Sequence, residues 1–258
     1  MTPRVPRRAL GETGIDVPVL GLGTVRFGRT EGLRHPTRRP LPSDAEVLAL
    51  LDTALACGVD LLDTAPAYGE SEARLGRLLG ARRDDFTLVS KAGEQFENGR
   101  SRHDFSTPAL RASVESSLRR LATDHLDCLL LHSDGRDETI LRETDAVETL
   151  VRLKDAGQLR SHGMSTKSVA GGLAALDAGL DVVMITLSRS APEEAEVARA
   201  ATALQRGVLV KKALASGHAV QDVPGDLRWV AAQTGVTSVV LGTLDVGHLE
   251  TAVRALAS

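Results

Sequence analysis

Eight short apolar runs, each followed by a longer amphipathic segment, constrain this chain more than any other feature. The runs cover 19–25, 59–63, 87–91, 126–132, 159–165, 182–188, 207–211 and 238–242. Each is apolar through its middle and bounded by Gly or polar residues, the pattern of parallel strands buried on both faces. Start signals precede the intervening segments. Ser43-Asp44-Ala45-Glu46 reads as a capping box before 47–55, and Thr107-Pro108 puts Pro at a helix's first position before 110–121. Gly58, Gly80, Gly157, Gly179 and Gly207 fall where helices should stop. Eight strands with a helix after each predict an α/β fold, a closed (β/α)8 TIM barrel covering 1–258 as one domain. The rival is an open doubly wound sheet with a phosphate-binding G-x-G-x-x-G turn. Gly21-Leu22-Gly23 supplies its first two glycines, but Gly28 is too distant and the Arg- and Pro-rich stretch 29–42 precedes any helix. Segments 8–11 and 17–19 predict a β-hairpin plugging the barrel bottom.

Composition narrows the partners. A net charge of −3 gives no reason to expect nucleic acid or an anionic membrane. No run approaches the length of a membrane span, and residues 1–10 carry three Arg with no apolar stretch behind them. Cys57 and Cys128 sit in apolar surroundings without metal-ligand spacing, as buried reduced thiols would. The seven His are scattered, so no metal site is expected. A cytoplasmic monomer or weak homo-oligomer acting on a small molecule is the expectation.

Barrel active sites gather at the carboxyl ends of the strands. Those ends carry Asp63, Lys91, His132, Ser165, Ser188, Lys211 and Gly242. Five residues beyond Asp63 stands Tyr68, the single Tyr of a chain with 2% aromatic residues. Each residue alone has a structural reading: Asp63 as a turn cap, Lys91 as its ion-pair partner, His132 as a satisfied polar group, Tyr68 as packing. Together they match the needs of carbonyl reduction, which puts a hydride on carbon and a proton on the developing alkoxide. An unperturbed phenol is a reluctant acid at neutral pH. Lys91 beside it would lower its pKa, Asp63 would hold the lysine charged, and His132 could orient and donate to the carbonyl oxygen.

The motifs Leu20-Gly21-Leu22-Gly23-Thr24, Leu62-Asp63-Thr64-Ala65-Pro66-Ala67-Tyr68-Gly69-Glu70-Ser71-Glu72 and Leu75-Gly76 make the chain familiar. So do Ser90-Lys91, Ser117-Leu118-Arg119-Arg120-Leu121 with Leu126-Asp127, and Leu130-Leu131-His132-Ser133-Asp134-Gly135. Over about 10–255 the sequence resembles the aldo-keto reductase superfamily. The resemblance implies a (β/α)8 barrel, NADPH bound in extended form without a Rossmann domain, and an Asp-Tyr-Lys-His tetrad falling on Asp63, Tyr68, Lys91 and His132. NADH is the alternative cofactor. Contacts to the cofactor are implied for Gly23, Thr24, Asp63, Ser165, Thr166, Met184, Ser188, Lys211, Gly242, Thr243 and His248.

The cofactor half departs from that pattern. Thr166 stands for an Asn, Met184 for a Gln that would hold the nicotinamide amide, and Leu187 for an aromatic that would cover the ring. Thr251-Ala252 replaces a Glu-Asn pair, and His248 an Arg. Lys211-Lys212, or the amides around Ser216-Gly217 and Gly242-Thr243, could hold phosphate instead. The stretch 29–42 would bring Arg29, Arg34, His35, Arg38 and Arg39 to the rim. The loop 94–106 would bring Phe96, His103 and Phe105 to the pocket. With Ser258 ending the sequence directly after the last helix, an open, permissive pocket is expected. The eroded nicotinamide contacts leave a nucleotide-sensing regulatory subunit as a second reading. An aldolase using Lys91 as a Schiff base is a third.

Overall fold

A computed structural model describes residues 3–33, 39–218 and 221–257. Its strands are β1 (Arg7–Ala9), β2 (Asp16–Pro18), β3 (Leu20–Gly23), β4 (Leu61–Asp63), β5 (Thr87–Ala92) and β6 (Glu94–Glu97). They continue as β7 (Arg100–His103), β8 (Leu126–His132), β9 (Leu159–Ser165), β10 (Val182–Thr186), β11 (Gly207–Lys211) and β12 (Ser238–Leu241). Around them lie α1 (Val25–Gly28), α2 (Asp44–Ala56), α3 (Ser71–Leu79), α4 (Thr107–Leu121) and α5 (Asp137–Glu143). The rest are α6 (Ala146–Asp155), α7 (Val169–Asp177), α8 (Ala195–Ala203), α9 (Val223–Ala231) and α10 (Val246–Leu256).

Strands β3, β4, β5, β8, β9, β10, β11 and β12 pair in parallel and close on themselves, β10 lying between β9 and β11. This is the expected (β/α)8 TIM barrel. Three predicted strands, 126–132, 159–165 and 207–211, have the predicted ends. The first barrel strand stops at Gly23, because Thr24 and Val25 turn into α1; Ser188 likewise leaves β10 for an isolated bridge to Ala191. Ser43 and Glu46 form the reciprocal capping box that starts α2. Before β11 the left-handed residue is Gln205, not Gly207, which instead begins the strand with Leu10 packed against it.

The hairpin β1–β2 is antiparallel, with Arg8 opposite Val17. Its apolar residues Leu10, Ile15 and Val17 enter the barrel, where they join Leu61, Val89, Cys128, Leu130, Val182, Met184, Leu209 and Val240. The Glu12 amide donates to the Gln205 carbonyl, tying the hairpin to the strand bottoms. A second, larger core fills the layer between strands and helices. Behind β5, fully buried Glu72 accepts hydrogen bonds from Ser90 Oγ (2.6 Å), Ser117 Oγ (3.2 Å) and Arg120 Nε (2.8 Å). That carboxylate clamps α3 and α4 to the strand that carries Lys91. The helices approach closely there: a Cβ on Gly76 would stand 2.1 Å from the Arg120 carbonyl oxygen. Among the described residues no helix is long and apolar enough to cross a membrane.

The stretch 94–106 is not an irregular loop. Asn98 and Gly99, both with left-handed φ (51° and 77°), make a two-residue turn joining β6 to β7, with Glu97 opposite Arg100. An Asn-Gly pair suits such a turn because both central residues need positive φ. The hairpin stands over the Pro66–Tyr68 turn that carries Tyr68.

Candidate active site

Asp63 ends β4, Lys91 lies at the end of β5 and His132 ends β8, so the barrel register puts all three on one rim. Tyr68 comes to them on a short 3-10 turn, started by Pro66. Lys91 Nζ donates to Asp63 Oδ1 at 2.6 Å and to the Thr64 carbonyl at 2.9 Å. It also stands 4.7 Å from the centre of the Tyr68 ring. The Tyr68 and His132 rings meet edge to face, 6.2 Å between centroids. The four residues are thus one contact cluster.

Their charges follow from that packing. Burial alone would lower the Lys91 ammonium, but Asp63 and the Tyr68 hydroxyl hold it above the ordinary lysine value. Burial raises the Tyr68 phenol, Lys91 pulls it down and Asp63 pushes it up; the net direction is upward. The lowering expected from Lys91 is therefore outweighed by desolvation. His132 is held below the usual histidine value by burial and by Lys91 and Lys211, against the pull of Glu94.

A cavity of about 750 Å³ opens from Asp63 and Tyr68 and runs past Gly23 to Gly242, Thr243, His248 and Thr251 at the start of α10. Ala213, Leu214, Val240 and Leu241 supply apolar lining, and Lys212, Ser216 and Gly217 a polar lip. Lys212, Ala215 and Ser216 all have left-handed φ (60°, 47° and 60°), a costly run for non-glycine residues that marks this lip as a built feature.

Of the implied cofactor contacts, Gly23, Asp63, Gly242, Thr243 and His248 line this cavity. The others do not. Thr24 is fully buried, donating to the Asp63 carbonyl and bonded by Ser71 Oγ, so it supports the rim from behind. Met184 points into the barrel interior and Leu187 is fully buried in the outer core, so Leu187 offers no surface to a ring. Ser188 is buried and shares its hydroxyl with Ser190. Ser165 Oγ and the Thr166 carbonyl both accept from Lys211 Nζ, at 2.7 and 2.6 Å. Burial and neighbouring Lys212 push the Lys211 amine down to about 7.

The rim loops also differ from expectation. Arg29 donates to the Glu31 and Ala67 carbonyls while its guanidinium lies 3.2 Å over the Phe96 ring, so it fastens the β6–β7 hairpin to the Tyr68 turn. Arg29 and Arg39 line the cavity; Arg34, His35 and Arg38 lie outside the described residues. Phe96, His103 and Phe105 do not line it: Phe105 is buried against Gly93 and stacks with His103. The residue that sequence reasoning missed is Glu94, whose Oε2 stands 2.7 Å from His132 Nδ1. Among the described residues, no group of three or more His, Cys, Asp or Glu is placed to hold a metal ion.

Comparison with known proteins agrees with this architecture. A model described as the aldo/keto reductase family matches residues 19–222. The D-threo-aldose 1-dehydrogenase of a Pseudomonas species is 31% identical over 244 residues, 84% of this chain and 71% of that protein. An uncharacterized oxidoreductase of Bacillus subtilis, YqkF, is 30% identical over 164 residues, 62% of this chain. That match covers 48% of YqkF, so the chain spans about half the length of this relative. A crystal structure from Pseudomonas aeruginosa, provisionally assigned to the aldo-keto reductases, is 43% identical, covers 97% of this chain and 95% of its own, and superposes with a TM-score of 0.88.

Proposed function

The chain belongs to the aldo/keto reductase family, and from that premise we propose that it reduces aldehydes or ketones to alcohols with NADPH, or NADH, taking the proton from Tyr68. The observation that carries the proposal is the buried Lys91–Asp63 pair set against Tyr68 at the mouth of the cavity. A phenol pushed upward by burial stays protonated across neutral pH and is ready to donate. As negative charge grows on the carbonyl oxygen, the fixed Lys91 ammonium stabilises the phenolate that Tyr68 leaves behind. Asp63 keeps that ammonium charged and aimed, while Thr64 supplies its second acceptor.

The residues present fit a dinucleotide along the cavity. A Cβ on Gly242 would meet nothing within 4 Å, so the backbone there opens on the cavity. Thr243, His248, Lys212 and the Ser216-Gly217 lip offer donors and positive charge for phosphates, and Val240 and Leu241 an apolar wall. When bound, a nicotinamide cofactor supplies the hydride. Asp63, Tyr68 and Gly23 mark the end of the cavity where its reactive ring would have to lie. The name of the Pseudomonas relative makes aldoses early substrates to try.

One observation favours the nucleotide-sensing alternative: Lys211 already engages the Ser165 hydroxyl, which the resemblance assigns to the nicotinamide amide, and beside it the Thr166 backbone carbonyl. Binding and turnover separate the two readings. Titration of NADPH and NADH against the fluorescence of Trp229, on the helix beginning with cavity-lining Val223, should give saturable quenching. Consumption of the cofactor upon adding aldehyde supports the reductase. Saturation with no turnover on any carbonyl supports the sensor.

A further inference from the structure

We propose that Glu94 is a positioning residue for His132, fixing the ring's proton on Nδ1 and leaving Nε2 as its other polar atom toward the reacting oxygen. The inference rests on the carbonyl-reductase reading of the site, since it concerns what His132 presents to substrate. His132 Nδ1 is buried, and Glu94 Oε2 stands 2.7 Å from it as an ion-pair partner, at an angle outside that of a regular hydrogen bond, so that Nδ1 has no other polar partner among the described residues. Two lone pairs that close would repel, so the nitrogen facing the carboxylate must carry hydrogen. Glu94 is itself held. It opens the β6–β7 hairpin, and Ser101 Oγ from the opposite strand donates to its other oxygen. Burial would raise its pKa, but His132 and Ser101 bring it down to about 2, so it remains a carboxylate at every working pH.

The groups around the ring come from every element packed on it. Tyr68 stands edge-on from the turn after β4, Lys91 comes from β5 and Lys211 from β11. Glu94 comes from β6, with His103 across the hairpin and Arg29 near it from the loop after β3. Both lysines and burial oppose a charged imidazole, and Glu94 alone among them favours it. Near neutral pH the ring is therefore neutral with its proton on Nδ1, and Nε2 is an acceptor. It becomes a donor only once the ring gains a second proton. A neutral Nε2 suits the hydroxyl of a bound alcohol; the doubly protonated ring suits a carbonyl oxygen. Carbonyl reduction should then weaken, and alcohol oxidation hold, as pH rises through the His132 titration.

The test is long-range proton–nitrogen NMR on full-length protein carrying nitrogen-15 histidine, with the His132 signals assigned by their loss in His132→Gln. The wild type should show the Nδ1–H tautomer. Glu94→Gln, whose side-chain carbonyl can still accept from Nδ1, should keep that tautomer and lower the titration midpoint by about one pH unit or more. Glu94→Ala should release the ring to the Nε2–H form with a similarly lowered midpoint. The alkaline limb of the reduction profile should move down with the midpoint in both variants. An Nε2–H ring in the wild type would overturn the proposal. So would variants in which neither tautomer nor midpoint changes. These spectra need no substrate: a protein that shows them and turns over no carbonyl leaves the role of Glu94 standing and removes the reductase reading.

Discussion

Replacing Tyr68 by Phe is expected to reduce turnover by about 10²–10⁴-fold, the usual contribution of a positioned proton donor, while cofactor affinity stays close to wild type. The substitution removes one hydroxyl and keeps the ring that Lys91 and His132 pack against. Folding and the cavity wall should therefore survive. Steady-state kinetics beside a cofactor titration check both halves. The same chemistry sets a pH expectation. Tyr68 is held above the ordinary phenol value of 10.0, so its donor form persists below that pH and reduction should show no loss from this group between pH 6 and about pH 10. Turnover retained in Tyr68→Phe would remove Tyr68 from the mechanism.

Lys91→Met should be the most damaging substitution for stability as well as for activity. The Lys91 and Asp63 side chains are 1% and 6% exposed. Deleting the ammonium leaves a buried carboxylate without its counter-charge, which costs about 3–5 kcal/mol. It also strips the Thr64 carbonyl of a donor. Denaturant unfolding measures the loss, and the double variant Lys91→Met with Asp63→Asn should recover part of it without recovering turnover. The pair also has a pH signature. Because the folded state holds the Lys91 pKa above its ordinary value of 10.5, its stabilisation is complete below that pH. It disappears only as pH climbs through the folded value, at strongly alkaline pH. An equally stable Lys91→Met protein would mean that the pair is not the buried, mutually dependent unit described above.

Much of the architecture was legible because it is written in local patterns. The apolar runs and the Ser43/Glu46 box each declare themselves within a few residues, and the parallel barrel follows from their number. The four rim residues were legible for the same reason: Asp63, Lys91 and His132 stand at strand ends, and a lone Tyr five residues on is conspicuous. The β6–β7 hairpin was not read: Asn98-Gly99 is a turn signal, but the flanking segments Glu94–Glu97 and Arg100–His103 alternate weakly and mask it, so that 94–106 reads as a loop. What sequence did not carry is long-range side-chain pairing. Nothing in the spacing of 94 and 132 joins Glu94 to His132, and nothing joins Lys211 to Ser165 across the barrel mouth. Thr24, Met184, Leu187 and Ser188 were assigned to the cofactor by resemblance. In the structure each of them is buried, packing or bonding within the protein.

The meeting of hydride from a nicotinamide and a proton from Tyr68 on a carbonyl at this rim is the chemistry proposed for this site. It is tested most directly by supplying NADPH or NADH deuterated at the transferring position of the ring, with a panel of aldehydes, ketones and aldoses. Products are then read by mass spectrometry. One deuterium is expected on the carbinol carbon of the alcohol formed by the wild type, and almost no alcohol from Tyr68→Phe over the same time. Saturable cofactor binding with no labelled alcohol from any member of the panel would contradict that chemistry.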